Sequence, residues 1–575
     1  MPIHNADIAA VFAEIADLLE IEGANPFRIR AYRNAARIVN EWPRELATLV
    51  ERGEDLTRLP GIGADLAAKI REIVGTGQCR ALEKLRKELP PAITELMHIP
   101  GLGPKRVRTL WHELDVQTLE QLARAAHDGR IRALPGFGAK LEANILQAVE
   151  QHLSQSRRFK LAVAAQYAHS LLAWLKGTPA AGQIEVAGSF RRARETVGDL
   201  DILVATQEPA AVMRRFTAYE EVAEVLSAGE ARGSVVLKSG LQVDLRVIEP
   251  ASWGAALLYF TGSKAHNIAL RKLAQEAGLK LNEYGLFRGH TRIAGASEEE
   301  VYAALGLAWI PPELREDRGE IGAALARRLP QLVSLADLKG DLHVHTKATD
   351  GHDTLEAMAS EARRLGFEYL AITEHSQRLT MVHGLDARRL LEQCEKIDRL
   401  NETFEGFRLL KGIEVDILED GSLDLPDAVL GELDVVVGAI HSRFDFSRAK
   451  QTERILRALE RPYFTILAHP TGRLIDGRPP YDVDMARIMR AARQRGCFIE
   501  LNAHPERLDL TDSDCLMAKD EGVLVAIDSD AHSRADFANL RYGVGQARRG
   551  WLEAKDVLNT RPLAELLPLL MKARR

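Results

Sequence analysis

The feature that most constrains the fold is a series of seven short apolar segments after residue 338, each followed by residues with a helical period. Strands that alternate with helices in this way predict a parallel barrel. Six of the seven segments carry His or Asp at the last or next-to-last position, and the sixth segment ends at Asn502. Because an active site in such a barrel lies at the carboxyl ends of its strands, we expect one there. The segments are DLHVHT, YLAITEH, LLKGIEVD, VVVGAIHS, FTILAHP, CFIELN and LVAIDSDAH.

The same region carries nine histidines. His343 and His345 lie two residues apart on the first strand, so they share one face. A buried histidine is usually a satisfied core residue, but so many imidazole and carboxylate groups at strand ends are costly to desolvate without a metal. His383 and His504 belong to no motif, and we expect both at the surface. The full set is His343, His345, His352, His375, His383, His441, His469, His504 and His532.

The first 150 residues contain an internal repeat. LTRLPGIGADLAAKIREI, MHIPGLGPKRVRTLW and RALPGFGAKLEANILQAV each place Pro-Gly-x-Gly before a helical period, which is a helix-hairpin-helix pattern. Its backbone N–H groups face an anion such as a DNA phosphate and carry no sequence information. A structural αα-hairpin is the alternative for any single copy. Three copies, two of them followed by basic residues, favour DNA binding through Gly61, Gly63, Gly101, Gly103, Lys105, Gly136 and Gly138.

From residue 151 to about 330 the period changes, and strand-like runs mix with helices in an α+β unit. Ser239-Gly240 predicts a hairpin between SVVLK and LQVDLRV. Asp199 and Asp201 are two residues apart and therefore share one face of a strand, where Asp244 of a neighbouring strand could join them. Three converging carboxylates can hold two Mg²⁺ ions for nucleotidyl transfer. Taken alone, the two aspartates are better explained as exposed surface carboxylates.

A turn upstream of these aspartates strengthens the nucleotidyl-transfer interpretation. Gly188-Ser189 supplies a backbone turn and a hydroxyl, and Arg191, Arg192 and Arg194 supply guanidinium groups for a triphosphate.

Composition and charge describe an ordinary chain of several domains. The 575 residues suit around four domains at a rough prior of 150 residues each. Four scattered cysteines predict neither a disulfide framework nor a thiolate zinc ribbon. The acidic N-terminus does not resemble a signal peptide, so we expect a cytoplasmic protein. Residues 339–575 hold 34 basic and 40 acidic side chains, which supplies the whole net charge of -6, so bulk charge neither supports nor excludes DNA as a partner.

The motifs GSFRRARETVGDLDILV, LQVDLRV and YFTGSKAHNIALRKLAQEAGLKLNEYG resemble the palm and thumb of family X DNA polymerases, of which DNA polymerase beta is the best known. The resemblance spans about residues 1–316. It implies Mg²⁺ or Mn²⁺ held by Asp199, Asp201 and Asp244. Gln242 stands where the beta enzyme has an arginine, so we expect no guanidinium near Asp244. The implied nucleotide contacts are Gly188, Ser189, Arg192, Tyr259, Phe260, Gly262, Ser263, Asn267 and Arg271.

The segment NPFRIRAYRNAARIV and the first hairpin resemble the lyase domain of the same enzyme. This resemblance implies that Lys69 forms a Schiff base with a 5′-deoxyribose phosphate, with Tyr32 and Arg28 in support. Phe27, Asp65 and Ala81 replace a histidine and two lysines of that pocket, so fewer basic groups are left to bind the 5′-phosphate. A solvated helix lysine is the alternative interpretation of Lys69.

The barrel motifs DLHVHT, TDG, ITEHS, IEVD, AIHS, LAHP and DSDAH resemble the PHP domain of the polymerase and histidinol phosphatase superfamily. The resemblance implies three metal ions, Mn²⁺ or Zn²⁺, between which the sequence does not choose. The implied ligands are His343, His345, Glu414 and Asp530 for the first metal, Glu414, His441 and His469 for the second, and Asp350, His375 and His532 for the third. His352 lies two residues from Asp350 and is the alternative ligand there.

The domain order resembles that of bacterial family X polymerases and predicts a multidomain fold. We expect an all-α helix-hairpin-helix region, an α+β nucleotidyltransferase palm with a thumb, and a distorted (βα)7 PHP barrel. The expected domains are a lyase-like domain at 1–85, a fingers-like helix-hairpin-helix subdomain at 86–150, the palm at 151–248, the thumb at 249–316, a linker at 317–338 and the PHP domain at 339–575.

The expected function is DNA-directed filling of short gaps from deoxynucleoside triphosphates in base excision type repair, by a monomer that acts on gapped or nicked DNA and on no membrane. The PHP domain is expected to be a 3′ to 5′ exonuclease or a nuclease for 3′ ends and abasic sites. One alternative makes the PHP site a small-molecule phosphoesterase. Another is a DNA-end-binding scaffold without catalysis, against which the intact ligand sets argue, because unused ligands leave uncompensated charge.

Overall fold

The computed structural model describes residues 5–41, 46–59, 61–88, 93, 96, 99, 102–155, 158–178 and 182–573. The chain divides into two compact units, residues 1–158 and residues 159–575, which we describe one at a time.

The first unit is all helical, as predicted. Apolar residues of its first helix, Ile8, Phe12, Ile15 and Leu19, follow one another at three or four positions and are buried, which is the pattern of a helix packed on a core. The helices are α1 Asn5–Glu22, α2 Pro26–Glu41, α3 Leu46–Glu51, α4 Ala64–Thr76, α5 Arg80–Glu88, α6 Pro104–Leu114, α7 Leu119–His127 and α8 Ala139–Gln155.

The hairpins of this unit have the backbone that the glycine pattern predicts. Gly61 and Gly136 have φ angles of 71° and 82°, which glycine adopts without strain. Gly63 and Gly103 are the N-terminal caps of α4 and α6. In the first and third copies the helix before the hairpin is a single 3-10 turn, at Leu56–Arg58 and Ile131–Ala133. Gly101, a predicted DNA contact, lies outside the described residues.

The expected palm is a five-stranded sheet in the order β2-β4-β7-β6-β5, in which β4 and β7 are parallel and the other pairs antiparallel. The predicted hairpin at Ser239-Gly240 is confirmed, because β6 and β7 pair antiparallel around it. The elements are β1 Phe159–Lys160, α9 Leu161–Lys176, β2 Ile184–Val186, α10 Gly188–Arg191, β3 Thr196–Val197, β4 Asp199–Ala205, α11 Pro209–Thr217, β5 Val222–Ala228, β6 Arg232–Leu237 and β7 Gln242–Ile248.

The expected thumb combines two helices with a three-stranded antiparallel sheet and two shorter helices. Glu298 lies at the start of one short helix and is buried. Its carboxylate accepts hydrogen bonds from Arg315 at 2.5 and 3.0 Å and from Arg191 of the palm at 2.8 and 3.0 Å. The elements are α12 Trp253–Thr261, α13 Lys264–Glu276, β8 Lys280–Asn282, β9 Gly285–Arg288, β10 Thr291–Ala294, α14 Glu298–Ala304 and α15 Glu320–Leu325.

The predicted barrel is confirmed as a seven-stranded parallel sheet in sequence order, β11 to β17. A parallel bridge between Val344 and Ala531 joins its two edges, so the barrel is nearly closed. The strands are β11 Gly340–Asp341, β12 Tyr369–Ile372, β13 Arg408–Asp416, β14 Val435–Ala439, β15 Ile466–Leu467, β16 Phe498–Asn502 and β17 Val525–Asp528. The helices are α16 Leu355–Arg364, α17 Ala387–Asn401, α18 Asp427–Leu430, α19 Arg448–Leu459, α20 Met485–Arg495, α21 Asp512–Glu521, α22 Leu540–Arg549 and α23 Leu563–Ala573.

No helix in the described part of the chain has both the length and the apolar composition that a membrane span requires.

The buried carboxylate of Glu298 makes a testable contribution to stability. Burial raises the pKa of this group, but the hydrogen bonds and charges of Arg315 and Arg191 hold it at about 2. Glu298→Ala leaves the fully buried Arg315 and the largely buried Arg191 without their carboxylate partner, and we expect the free energy of unfolding to fall by about 3–5 kcal/mol. Urea unfolding followed by tryptophan fluorescence measures the loss. Glu299→Ala, at the exposed next position, is the matched control. Equal stability of the two variants would contradict the assignment.

Candidate metal centres and triphosphate site

The three predicted carboxylates of the palm meet on two adjacent strands. β4 and β7 are parallel, with Asp201 opposite Asp244 and Asp199 opposite Gln242. Side chains two residues apart on a strand share a face, so Asp199 and Asp201 project to the same side. Burial, followed by the negative charges of Asp199 and Asp244, raises the pKa of Asp201 to about 7. Like charges held this close to one another favour a bound cation.

Asp244 has two hydrogen-bond donors on neighbouring positions. The hydroxyl of Ser234 donates to it from β6, and the Gln242 amide donates to Oδ1 at 3.2 Å. The expectation that no guanidinium lies near Asp244 is wrong, because Arg232 and Arg246 line the same pocket. Arg246 follows Asp244 by two residues on β7, so the two side chains share one face of the strand. The sequence expectation considered only position 242, where the beta enzyme has an arginine, and therefore missed Arg246.

A tight turn brings the predicted triphosphate contacts against the carboxylates. Gly188 has a φ angle of 61°, and a Cβ atom there would lie 2.2 Å from Oδ2 of Asp201. Only glycine permits this approach of the backbone. Ser189 lies in the short helix α10 that follows. Arg192 ends this helix, and its guanidinium donates to the Thr261 carbonyl oxygen at 2.7 Å and to Glu316 at 3.0 Å.

The remaining predicted nucleotide contacts share the corner between α12 and α13. The Asn267 amide donates to the carbonyl oxygens of Tyr259, at 2.6 Å, and Gly262, at 3.2 Å. This contact holds the end of α12 against the start of α13. The other members of the corner are Phe260, which lies 4.6 Å from the Arg246 guanidinium, Ser263, which caps α13, and Arg271, which donates to the Asn267 carbonyl oxygen at 3.3 Å.

In the barrel, all nine of the predicted metal ligands come together at the strand ends. Three groups have ligand atoms within 4.8 Å of one another: His345, Asp350, His375 and His532; His343, His345 and Asp530; and His375, Glu414 and His441. His469 adjoins the third group, because its Nε2 lies 2.9 Å from Oε1 of Glu414. The structure therefore places Asp350 in a group, whereas His352 is exposed outside all three.

Glu414 occupies the centre of these groups. Its carboxylate oxygens lie 2.6 Å from His375 Nδ1, 3.3 Å from His441 Nε2 and 3.5 Å from His343 Nε2. Burial raises the pKa of Glu414, but the charges of His375 and His441 lower it well below the usual value. A carboxylate in this place has two oxygens with which to bridge two metal ions.

The chemistry of the barrel site fits bound metal ions. Burial, with the charge of His375, lowers the pKa of His345 to about 3, so its ring is neutral and can bind a cation. Buried polar atoms usually have hydrogen-bond partners. Six buried ligand atoms have none among the described residues: His343 Nε2, His345 Nδ1 and Nε2, Asp350 Oδ1, His375 Nδ1 and Glu414 Oε2.

Comparison with known proteins places this arrangement in a family. Family models match a helix-hairpin-helix domain at residues 3–79, a SAM-like helix-hairpin-helix tandem at 93–151, a DNA polymerase beta thumb at 256–316 and a PHP domain at 341–504. The chain is 38% identical over 574 residues to the DNA polymerase/3′-5′ exonuclease PolX of Bacillus subtilis (strain 168). The matched region covers 99% of this chain and 100% of that protein. The chain belongs to the family X DNA polymerases with a C-terminal PHP domain.

Shorter relatives match about a third of the chain. A probable phosphatase of Thermoanaerobacter sp. (strain X514) is 31% identical over 232 residues, which is 38% of this chain and 89% of that protein. A probable phosphatase of Caldanaerobacter subterraneus subsp. tengcongensis is 32% identical over 204 residues, which is 33% of this chain and 75% of that protein.

Two carboxylates behind the PHP ligands were not predicted from the sequence. Glu500 accepts a hydrogen bond from His343 Nδ1 at 2.6 Å, and Asp416 one from His441 Nδ1 at 2.8 Å. Such contacts fix the orientation of an imidazole ligand. The sequence signal for both carboxylates is the two-residue spacing of side chains that share one face of a strand. Asp416 follows Glu414 by two residues, and Glu500 precedes Asn502 by two residues.

The two histidines without a motif differ in exposure. His383 is exposed, as expected. His504 is half-buried, which is less exposed than expected, and its Nδ1 accepts a hydrogen bond from the Glu506 amide at 3.3 Å.

The lyase-like region of this family X chain places Lys69 on α4 beside Asp65, at 2.5 Å, with the Tyr32 ring 5.9 Å away. Burial lowers the pKa of Lys69, but the hydrogen bond that Lys69 donates to Asp65 outweighs this effect, so the net pKa is raised. Arg28 and Phe27 are exposed. Lys105, a predicted DNA contact, lies in the first turn of α6.

The choice between Asp350 and His352 can be tested by metal binding. Asp350→Asn removes a charged oxygen from the group with His375 and His532, and we expect affinity for Mn²⁺ or Zn²⁺ to fall at least about tenfold. Metal content after dialysis and calorimetric titration measure the change. His352→Gln is the matched control and should bind as the parent does. A loss confined to His352→Gln would reverse the assignment.

Proposed function

We propose that this chain is a DNA-directed DNA polymerase that fills short gaps in base excision type repair, and that its PHP barrel resects 3′ ends as a 3′ to 5′ exonuclease or end-processing nuclease. The observation that carries the proposal is the likeness to a DNA polymerase/3′-5′ exonuclease over 99% of the chain, together with two separate groups of metal-competent side chains. DNA and deoxynucleoside triphosphates are the substrates.

In the palm, Asp199, Asp201 and Asp244 would hold two Mg²⁺ or Mn²⁺ ions. When bound, these ions supply activation of the primer hydroxyl and neutralisation of the leaving pyrophosphate. The chain itself supplies position. The turn at Gly188 brings the backbone close to Asp201, and Ser189 follows it in α10. The Ser189 hydroxyl and the planar cation of Arg192 would then bind the triphosphate. Tyr259, Phe260, Asn267 and Arg271 would then face the sugar and base of the incoming nucleotide.

In the barrel, the three groups around Glu414 would hold three Mn²⁺ or Zn²⁺ ions, which when bound supply Lewis acidity and an activated water for phosphodiester hydrolysis. The contacts from Glu500 and Asp416 hold His343 and His441 in fixed orientations. The helix-hairpin-helix backbone would hold DNA phosphates without reading sequence.

A second candidate keeps the polymerase and makes the barrel a small-molecule phosphoesterase. The observation in its favour is the similarity of the PHP half to proteins named probable phosphatases. The two candidates differ in substrate, so a phosphomonoester and a labelled DNA 3′ end distinguish them.

Reciprocal variants test the proposal. Asp201→Ala removes a carboxylate from the palm, and we expect loss of primer extension on a gapped duplex by at least a factor of about 10³ with resection unchanged. Glu414→Ala removes the central carboxylate of the barrel and should have the opposite effect, because each site has its own ligands. Both activities are measured on one labelled substrate in Mg²⁺ and in Mn²⁺.

Two controls accompany these variants. Glu224→Ala removes an exposed carboxylate from the same sheet as Asp201, and His383→Gln changes an exposed histidine of the barrel. Both should behave as the parent. Extension by Asp201→Ala at the parental rate would remove the palm assignment. Resection by Glu414→Ala at the parental rate would place the nuclease elsewhere, and hydrolysis of a phosphomonoester alone by the parent would favour the second candidate.

The proposed lyase reaction at Lys69 has a defined dependence on pH. A Schiff base forms from the neutral amine, and the raised pKa of Lys69 keeps the amine protonated at neutral pH. We expect borohydride trapping of a 5′-deoxyribose phosphate to be slow at pH 7 and to rise with pH. Asp65→Asn should move this rise to lower pH, because it removes the charge that stabilises the protonated form.

Glu72→Gln is the control for the lyase test, since Glu72 lies on the same helix and pairs with Arg80 at 3.2 Å. Its trapping profile should match the parent. Lys69→Ala should trap nothing. Equal trapping by Lys69→Ala and the parent would show that Lys69 is a solvated helix lysine.

A further inference from the structure

One barrel helix packs directly on the turn that carries the predicted triphosphate contacts. We call residues 188–194 the palm turn. A Cβ atom on Gly545 of α22 would lie 3.0 Å from the Cβ of Ala193, so the helix surface reaches the palm turn closely. Arg549, the last residue of α22, is buried at this contact. A residue of the PHP half therefore lies beside the polymerase site.

Arg549 makes three contacts from this position. Its Nη1 donates to the Arg192 carbonyl oxygen at 2.9 Å and to Oε1 of Glu316 at 3.0 Å. Its Nη2 donates to Asp512, a barrel residue, at 2.7 Å. The guanidinium thus links the backbone of the palm turn, the end of the thumb and the barrel.

Glu316 is the point at which three arginines meet. Oε1 accepts from Arg192 Nε at 3.0 Å, from Arg194 Nη1 at 3.5 Å and from Arg549 Nη1 at 3.0 Å. Burial raises the pKa of Glu316, but the charges of Arg192 and Arg549 hold it at about 2. The carboxylates of Glu316 and Asp512 face three guanidinium groups, which leaves a local excess of positive charge that suits a triphosphate.

Hydrogen bonds to Glu316 and Thr261 fix the orientation of the Arg192 guanidinium. Its bonds to Glu316 and Thr261 use two of the five N–H donors of a guanidinium, so donors remain for an anion. Arg549 fixes the carbonyl of the same residue. It also shares Oε1 of Glu316 and so neutralises part of the charge of this carboxylate.

We propose that Arg549, in the nuclease half of the chain, is a positioning residue for nucleotide binding by the polymerase half. It acts through the Arg192 backbone and through Glu316. The inference rests on the proposed polymerase function. Without Arg549, the palm turn loses a fixed hydrogen bond, and Glu316 presents less compensated negative charge beside the triphosphate. The enzyme then binds the nucleotide more weakly, with little change in the chemical step.

The neighbouring residue offers a matched control. Arg548 also ends α22 and also spans the two halves, because it bonds Glu313 at 2.7 Å and the Val333 carbonyl oxygen at 3.0 Å. These contacts do not include the palm turn. Arg548→Gln therefore removes a similar charge and a similar contact between the halves, without touching Arg192.

The test measures single-nucleotide gap filling by the full chain, with the apparent dissociation constant of the nucleotide and the maximal rate determined separately. Arg549→Gln should raise the dissociation constant about tenfold, the size of one lost charge-assisted hydrogen bond, with the maximal rate within about twofold. Arg549→Lys should recover part of the affinity, because it restores the charge. Arg548→Gln should match the parent in both quantities, and 3′-end resection should be parental in every variant.

Several outcomes would overturn the inference. They are an unchanged dissociation constant in Arg549→Gln, an equal rise in Arg548→Gln, and a joint loss of maximal rate and resection, which marks a merely structural role. If thermal unfolding shows that Arg549→Gln does not fold, Arg549→Lys decides: a dissociation constant above the parental value supports the inference, and a parental value overturns it. Failure of the parent to extend a primer would instead remove the proposed function.

Discussion

Buried charge needs a compensating partner, and the sites of residues 159–575 depend on how that need is met. Glu298 and Glu316 are satisfied within the protein, because arginines surround each carboxylate and hold its pKa at about 2. Asp201 has other carboxylates as its neighbours, and its pKa rises to about 7. Glu298 and Glu316 therefore need no partner from outside the chain, whereas the environment of Asp201 favours a bound cation.

The barrel site meets the same requirement with mixed chemistry. Imidazoles lie next to the Glu414 carboxylate, so part of its charge is balanced. Ligand atoms of His345 and Asp350 nevertheless have no hydrogen-bond partner in the part of the chain that is described. Carboxylates such as Glu500 hold the imidazoles from behind. An assembly of this kind is costly to bury for structure alone and is suited to binding several metal ions.

Some of this was accessible from the sequence and some was not. Asp199 and Asp201 could be placed on one face because a strand has a period of two. Spacing left His352 as an alternative to Asp350, and of these two the structure brings only Asp350 into a ligand group of the described residues. Strand β5 escaped prediction because six of its seven residues are exposed, so it has no alternating apolar pattern.

The sequence by itself determined the local rules of this protein: the hairpin glycines, the seven strands of the barrel and the residue types that can hold metal ions. These follow from backbone geometry and side-chain chemistry, which act over a few residues. Only the tertiary structure decided which charges meet. Arg549 lies 357 residues from Arg192 in the chain and bonds its carbonyl oxygen, and Arg246 shares a pocket with Asp244. Contacts of this kind depend on how distant segments pack, and no local pattern encodes them.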